Sequence, residues 1–187
     1  MTAAGGDRAA RFERLYATMF PELAGYVGRR CGADADDVLA QVFTVAWRRL
    51  DHIPPPPQDR LWFFGVARRT LADAERSARR RRRLGARLAA ETLIASQPVP
   101  SADPAAGRVI AAMATVRPAD CEALRLVLWD GLSHAEAAAV IGCTANAFEI
   151  RYRRARVAVR DELIRNANQS ARDFGVPSPA SIRGDAS

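Results

Sequence analysis

Between Arg11 and Arg30 apolar side chains recur at Phe12, Leu15, Tyr16, Met19, Leu23, Tyr26 and Val27. Steps of three and four residues put them on one face, which predicts an amphipathic helix with a break near Pro21, whose ring removes an N–H and crowds the preceding turn. Gly32 supplies the stop, and Asp34 or Asp36 a cap for a second helix. There Val38, Leu39, Val42, Phe43, Ala46, Trp47 and Leu50 cover well over half the circumference. This surface, edged by Asp36, Asp37 and Gln41, either docks a partner helix or is consumed by core packing. Residues 51–59, DHIPPPPQD, come next, and four consecutive prolines exclude helix and favour a stiff extended loop. A third helix, from Leu61 to about Arg83, packs through Leu61, Phe64, Ala67, Leu71 and Ala74, leaving Trp62, Arg69, Asp73 and Arg76 on other faces.

Periodicity fades over residues 84–104, which gain Pro and Ser and read as a linker. Its 21 residues, at roughly 3.3 Å each when extended, span about 70 Å, or around two turns of duplex at ~34 Å per turn. Two more helices are expected at 105–115 and 118–129, the second opened by Pro118 and stopped by Gly131. From Leu132 to Arg156 the pattern is two short helices about a tight turn. Ser133 and Glu136 have the spacing of a capping box, Gly142 permits a positive φ, and Thr144 can cap the next helix. Phe148, Tyr152, Ala155 and Val159 form its apolar face, leaving Arg151, Arg153, Arg154, Arg156 and Arg160 toward water or an anion. That is a helix-turn-helix with a basic second helix; the plainer alternative is a helical hairpin with a solvated basic face. Residues 166–187, rich in Ala, Ser, Pro and Asn without period, read as a mostly disordered tail.

The fold expected is therefore all-α: two small helical domains, at residues 1–83 and 105–165, joined by a flexible linker. Charge sharpens this picture. All 28 basic residues are arginine, and residues 68–87 hold nine of them against Asp73 and Glu75, a local +7 that equals the net charge of the chain. Residues 151–165 add six arginines against Asp161 and Glu162. Two separated positive blocks suit a phosphate backbone or an anionic membrane, and an aromatic pair, Trp62 and Phe63, beside the first suits unstacked bases. The alternative places the pair in a core and leaves the arginines solvated. No apolar run approaches the roughly 20 residues of a spanning helix, and no signal segment opens the sequence, so a soluble cytoplasmic protein is expected. Cys31, Cys121 and Cys143 lack the spacing of a disulfide framework or zinc site, and His52 and His134 stand apart. No catalytic constellation, cofactor motif, metal site or small-molecule substrate is indicated.

Residues 10–165 resemble an extracytoplasmic-function (group IV) sigma factor of the sigma-70 family of bacterial RNA polymerase. ADADDVLAQVFTVAWRR is similar to its region 2.2, LWFFGVARRTLADAERSARRRRR to regions 2.3 and 2.4, and RPADCEALRLVLWDGLSHAEAAAVIGCTANAFEIRYRRARVAVRDEL to region 4. The resemblance implies a region-two domain, a region-four domain and transcription initiation, in place of catalysis. It implies that Asp36, Asp37, Gln41, Phe43 and Trp47 hold core polymerase at the beta-prime coiled coil, with a second attachment at the beta flap. His52, Trp62, Arg68, Arg69, Asp73, Arg76 and Arg80 would serve the minus-ten element, loop 51–59 receiving a base flipped from the non-template strand. Thr144, Asn146, Glu149, Arg151 and Arg154 would serve the minus-thirty-five element. An anti-sigma factor, often membrane-anchored, is the implied regulator. Two departures bear on promoter sequence: Arg69 stands where the family usually has Asn, and Glu149 where it usually has a basic or small polar residue. Glu149 either accepts from a cytosine amine or pairs with Arg153 four residues on. The competing function is a stand-alone helix-turn-helix regulator that dimerises through residues 38–50.

Overall fold

The computed structural model describes residues 3–85 and 104–173. Among them are seven α-helices and no strand: α1 (Ala3–Cys31), α2 (Ala35–Arg48), α3 (Gln58–Gly85), α4 (Pro104–Ala114), α5 (Pro118–Leu128), α6 (His134–Ile141) and α7 (Ala145–Asp173). Short 3₁₀ turns at Gly32–Asp34 and Leu50–His52 flank α2. The chain divides into two compact units, Met1–Pro98 with Ala138–Cys143 and Val99–Ala137 with Thr144–Ser187.

In the first unit α1, α2 and α3 pack against one another. Met19, Leu23, Tyr26 and Val27 from α1 meet Val38, Leu39, Val42, Phe43 and Ala46 from α2 and Phe63, Phe64, Val66, Ala67 and Leu71 from α3, all buried. Tyr26 and Phe64 make an edge-to-face pair with centroids 5.0 Å apart. Each large apolar side chain so buried contributes about 1.5–3 kcal/mol, which is why the pattern of α2 is satisfied inside the unit. Of the seven apolar positions expected between Val38 and Leu50 only Trp47, 42% exposed, is left at the surface. Core packing accounts for the rest.

Three boundaries differ from the pattern. Pro21 lies inside an unbroken α1. The hydrogen bond it removes would end at the carbonyl of Ala17, which like Pro21 is exposed to water, and buried residues on both sides hold the helix together. α1 also begins well before Arg11, where Arg8 and Arg11 find partners across the unit. α3 begins at Gln58 and runs to Gly85, so its ends lie outside the expected Leu61 and Arg83. Gly32 does end α1, with φ +56°, but Asp34, the residue before α2, makes no side-chain capping bond. Asp36 and Asp37 instead face the positive end of the α2 dipole.

The second unit gathers α4, α5 and α7 around Ala112, Met113, Cys121, Ala123, Leu124, Leu126, Phe148, Tyr152 and Ala155. α7 overturns the expected tail at Asn166, since residues 166–173 are helical. They contain no Pro or Gly, Arg165 pairs with Glu162 one turn back, and the Ser170 hydroxyl donates to the Asn166 carbonyl at 3.0 Å. With the nucleus already formed upstream, each added residue gains a hydrogen bond at little cost. The linker residues 86–103 and tail residues 174–187 lie outside the described residues.

Candidate nucleic-acid interface

The long α3 arranges its polar residues on a line. Trp62, Arg69, Asp73, Arg76 and Arg80 follow at steps of seven, four, three and four, so at 100° per residue they share one narrow face about 27 Å long. Arg69, Asp73, Arg76 and Arg80 are exposed, and Trp62 is half-buried with its ring edge-on to Phe63 at 5.2 Å. Phe63 itself is fully buried. The aromatic pair thus divides, one ring in the core and one at the head of the stripe. Asp73 pairs with Arg76 within the stripe and so moderates its positive charge. Arg68 is half-buried and lies off this face.

Beside the start of α3 is the proline loop. His52 is exposed, Ile53 is buried, and the Pro56–Pro57 peptide is cis. On the α1–α2 side Trp47 stands edge-on to Phe12 at 5.2 Å, and Tyr16, 41% exposed, stacks on Phe20, 37% exposed. Phe43 lies beneath, 4.5 Å from Tyr16 and only 6% exposed. Asp36, Asp37 and Gln41 are exposed. Of the five residues expected to hold a partner, four therefore reach the surface, and Phe43 supports the exposed rings from inside.

At the start of α6 the capping box forms as its spacing predicts. The Ser133 amide donates to the Glu136 carboxylate at 2.8 Å and the Glu136 amide to the Ser133 hydroxyl at 3.3 Å. Gly142 adopts φ +80°. The Cys143 amide returns to the Ala138 carbonyl at 3.0 Å and the Gly142 amide to that of Ala139 at 3.2 Å, the bond pair of a left-handed helix stop. Thr144 then caps α7, its hydroxyl accepting from the Ala147 amide at 3.2 Å.

Two of the expected anion contacts are engaged elsewhere. Arg154 grips Asp120 with both arms, Nε at 3.0 Å and Nη2 at 2.7 Å, and Arg151 stands 4.0 Å from the same carboxylate. The hydrogen bonds and the charge of Asp120 push the Arg154 pKa up, holding the guanidinium more firmly in its charged form. The reason is burial: Asp120 is 3% exposed and needs cationic partners. Glu149 likewise does not take Arg153. Its carboxylate meets His134 Nδ1 at 2.5 Å, and the His134 ring lies against Tyr152 at 4.6 Å. Asn146 and Thr144 remain exposed. On α4, α5 and α7 an apolar groove of about 370 Å³ is floored by Val109, Met113, Leu124, Leu128, Val157 and Leu163 and rimmed by Arg153, Arg156 and Arg160.

Residues 106–159, from α4 to the middle of α7, match the family sigma-70, region 4. Over 133 residues the chain is 32% identical to the RNA polymerase sigma factor CnrH of Cupriavidus metallidurans, covering 66% of this chain and 70% of that protein. The chain belongs to the extracytoplasmic-function sigma factors. Two solved structures share its fold. The sigma factor RpoE in complex with the anti-sigma factor NepR, from Bartonella quintana, matches with a TM-score of 0.65 at 21% identity, over 81% of this chain and 96% of that one. CnrH in complex with the cytosolic domain of CnrY matches with a TM-score of 0.58 at 26% identity, over 81% of this chain and 86% of that one.

Membership in the sigma factors sets aside the stand-alone regulator, and sigma factors are not enzymes. The fold also brings in partners that a linear reading passes over. Asp120 of this sigma factor decides what two arginines of α7 do, and its only trace in the sequence is a lone acid two residues after Pro118. His134 holds Glu149 from the first turn of α6. Arg8 and Arg11 reach the proline loop from about 40 residues away, with no local pattern to announce them. None of the helices among the described residues is long and apolar enough to cross a membrane.

Proposed function

We propose that this sigma factor attaches to core RNA polymerase and directs it to promoters through two DNA contacts, one in each unit. Trp47, with Asp36, Asp37 and Gln41 at its edge and Tyr16 and Phe20 beside it, meets the beta-prime coiled coil. The stripe on α3 serves the minus-ten element. Arg69, Arg76 and Arg80 neutralise phosphates, Trp62 stacks at the point where the strands part, and the proline loop beside His52 receives a flipped base. The turn between α6 and α7 serves the minus-thirty-five element through Thr144 and Asn146, with Arg151, Arg154 and Glu149 acting behind them through Asp120 and His134. The apolar groove with its arginine rim takes the beta flap. A regulator of the anti-sigma kind, as in the CnrH and RpoE complexes, would cover the aromatic face, and the working compartment is the cytoplasm, with a membrane-anchored regulator as a means of retention.

The observation that carries this reading is the register of α3, which aligns an aromatic ring and three arginines on one exposed face over a length that matches about eight nucleotides of a strand at ~3.4 Å each. Purified core polymerase with this chain, assayed by run-off transcription on promoters of its own genome, should give specific transcripts that core alone does not. Equal transcription by core alone would end the proposal.

A further inference from the structure

Arg8 lies early in α1, and its guanidinium has three partners. Nη1 donates to Asp51 Oδ2 at 2.5 Å, Nη2 donates to the Trp47 carbonyl at 2.8 Å, and the guanidinium carbon stands 5.3 Å from the centre of the Trp47 ring. One turn on, Arg11 donates to the Ile53 carbonyl at 3.0 Å. The segment they hold has few bonds of its own, because Pro54–Pro57 offers no N–H. Its backbone bonds are His52 to Arg49 at 2.8 Å, Ile53 to Leu50 at 3.2 Å and Gln58 to Pro55 at 3.1 Å. The entrance to the loop is therefore fastened from α1, and the same guanidinium that fastens it touches the exposed tryptophan of α2.

We infer that Arg8 is a positioning residue that sets the mouth of the base-receiving loop and ties its order to docking at Trp47. The inference rests on the reading above, in which Trp47 meets polymerase and loop 51–59 receives the base. Its physical basis is exposure. The Arg8 and Asp51 side chains are 34% and 70% exposed, so in the free chain water screens the pair and its hold is weak. A partner seated on Trp47 covers the indole and the guanidinium beside it, lowers the local dielectric and strengthens both hydrogen bonds. Docking then fixes the loop before a base arrives. A sigma factor that opens DNA only on its polymerase needs such a link, and here it is one side chain long.

The test uses holoenzyme assembled from core polymerase and the full chain, carrying wild type, Arg8→Ala, Arg8→Lys, or the exchange Arg8→Asp with Asp51→Arg. Helicity by circular dichroism should stay that of wild type, since the pair is partly exposed in the free chain, and opening is compared with core saturated by each variant, because bonds that docking strengthens strengthen docking in return. Strand opening is read by a fluorescent base analogue in the minus-ten element. On duplex promoter Arg8→Ala should open about tenfold more slowly, the equivalent of ~1.4 kcal/mol. On a template already unpaired at the captured base it should match wild type. The charge exchange should not recover the rate, because Asp at position 8 can restore the ion pair but can neither donate to the Trp47 carbonyl nor stand as a cation over its ring; full recovery would cut the tie to Trp47. Opening of duplex at the wild-type rate would overturn the inference, as would an equal defect on both templates or a defect that only tracks lost helicity. Wild-type holoenzyme that opens no promoter would instead remove the polymerase reading, and this inference with it.

Discussion

The two units use arginine in opposite ways. In the first, Arg69, Arg76 and Arg80 stand in line on an exposed helix face with a single acid, Asp73, among them. In the second, α7 carries six arginines over residues 151–165, yet Arg154 and Arg151 converge on the buried Asp120. A basic run in the sequence is therefore not equally free charge in the fold. A buried carboxylate must be paired, whereas the arginines of the α3 stripe meet no such claim, so one acid 34 residues upstream engages two arginines of a basic helix although the Arg154 side chain stays 56% exposed. The lesson is that a run of positive charge is read correctly only together with the acids folded beneath it.

The largest effect that would sharpen this contrast is one confined to a single unit. Phe64, 1% exposed and edge-on to Tyr26, lies at the centre of the first core. Phe64→Ala should destabilise that unit by about 3–5 kcal/mol, a large share of what a small domain has. Amide hydrogen exchange should show protection lost across α1–α3 while α5 and α7 keep theirs. Loss in both units together would show that they do not stand separately.

Next in size is the release of the held arginines. Asp120→Asn removes the charge that engages Arg154 and Arg151, so thermal unfolding of the second unit should fall. Binding to non-cognate duplex should meanwhile strengthen, with the salt slope steeper by up to about two units, near 0.9 for each phosphate newly met. Arg69→Ala in the first unit should instead flatten the slope on single-stranded minus-ten DNA by about 0.7 units. An unchanged slope in Asp120→Asn would mean that Arg151 and Arg154 reach DNA already, and the contrast between the units would fail.

A smaller effect concerns Glu149. Its contact with His134 joins two partly exposed side chains, 54% and 40% accessible, and a double-mutant cycle of Glu149→Ala with His134→Ala should return a coupling of about 0.2–1 kcal/mol. Selection from a randomised minus-thirty-five element should give the same base preferences for wild type and Glu149→Ala. A change at one position alone would make Glu149 a reader of bases.

The smallest effect is chemical. Burial, and after it the charge of Asp34, pushes the Cys31 thiol pKa above its ordinary 9.0. Folding thus favours the protonated thiol, and the stability this adds is full below the ordinary value and fades as pH rises through the higher folded one. Asp34→Asn should lower the folded value and speed alkylation of Cys31 near neutral pH. An unchanged rate would assign the whole shift to burial.

Much of this was legible in the sequence. Helix periods, the capping box at Ser133 and Glu136, the glycine stops and the Thr144 cap are local devices, each written in residues close to where it acts. The shared face of Trp62, Arg69, Asp73, Arg76 and Arg80 follows from spacing too, although the apolar pattern alone places the first four of them only on faces other than the core face of α3. What escaped is set by neighbours distant in the chain. Spacing offered Arg153 to Glu149, but the fold supplied His134, 15 residues upstream. The apolar wrap of α2 fitted docking and core equally well until α1 and α3 were seen to cover all of it but Trp47. Pro21 looked like a break because propensity describes an isolated helix, and the packing around it outweighs that term.

The loop with four prolines has a thermodynamic consequence. An ordinary residue gives up about 1–2 kcal/mol of backbone entropy when it is fixed. A proline has surrendered part of that already in the unfolded chain, since its ring sets φ before any partner is met. On the proposed reading, a base entering beside Pro54–Pro57 would meet a surface that need not be ordered at that moment. Little of the entropy of capture would belong to the protein, and the temperature dependence of opening would follow the base pairs that part.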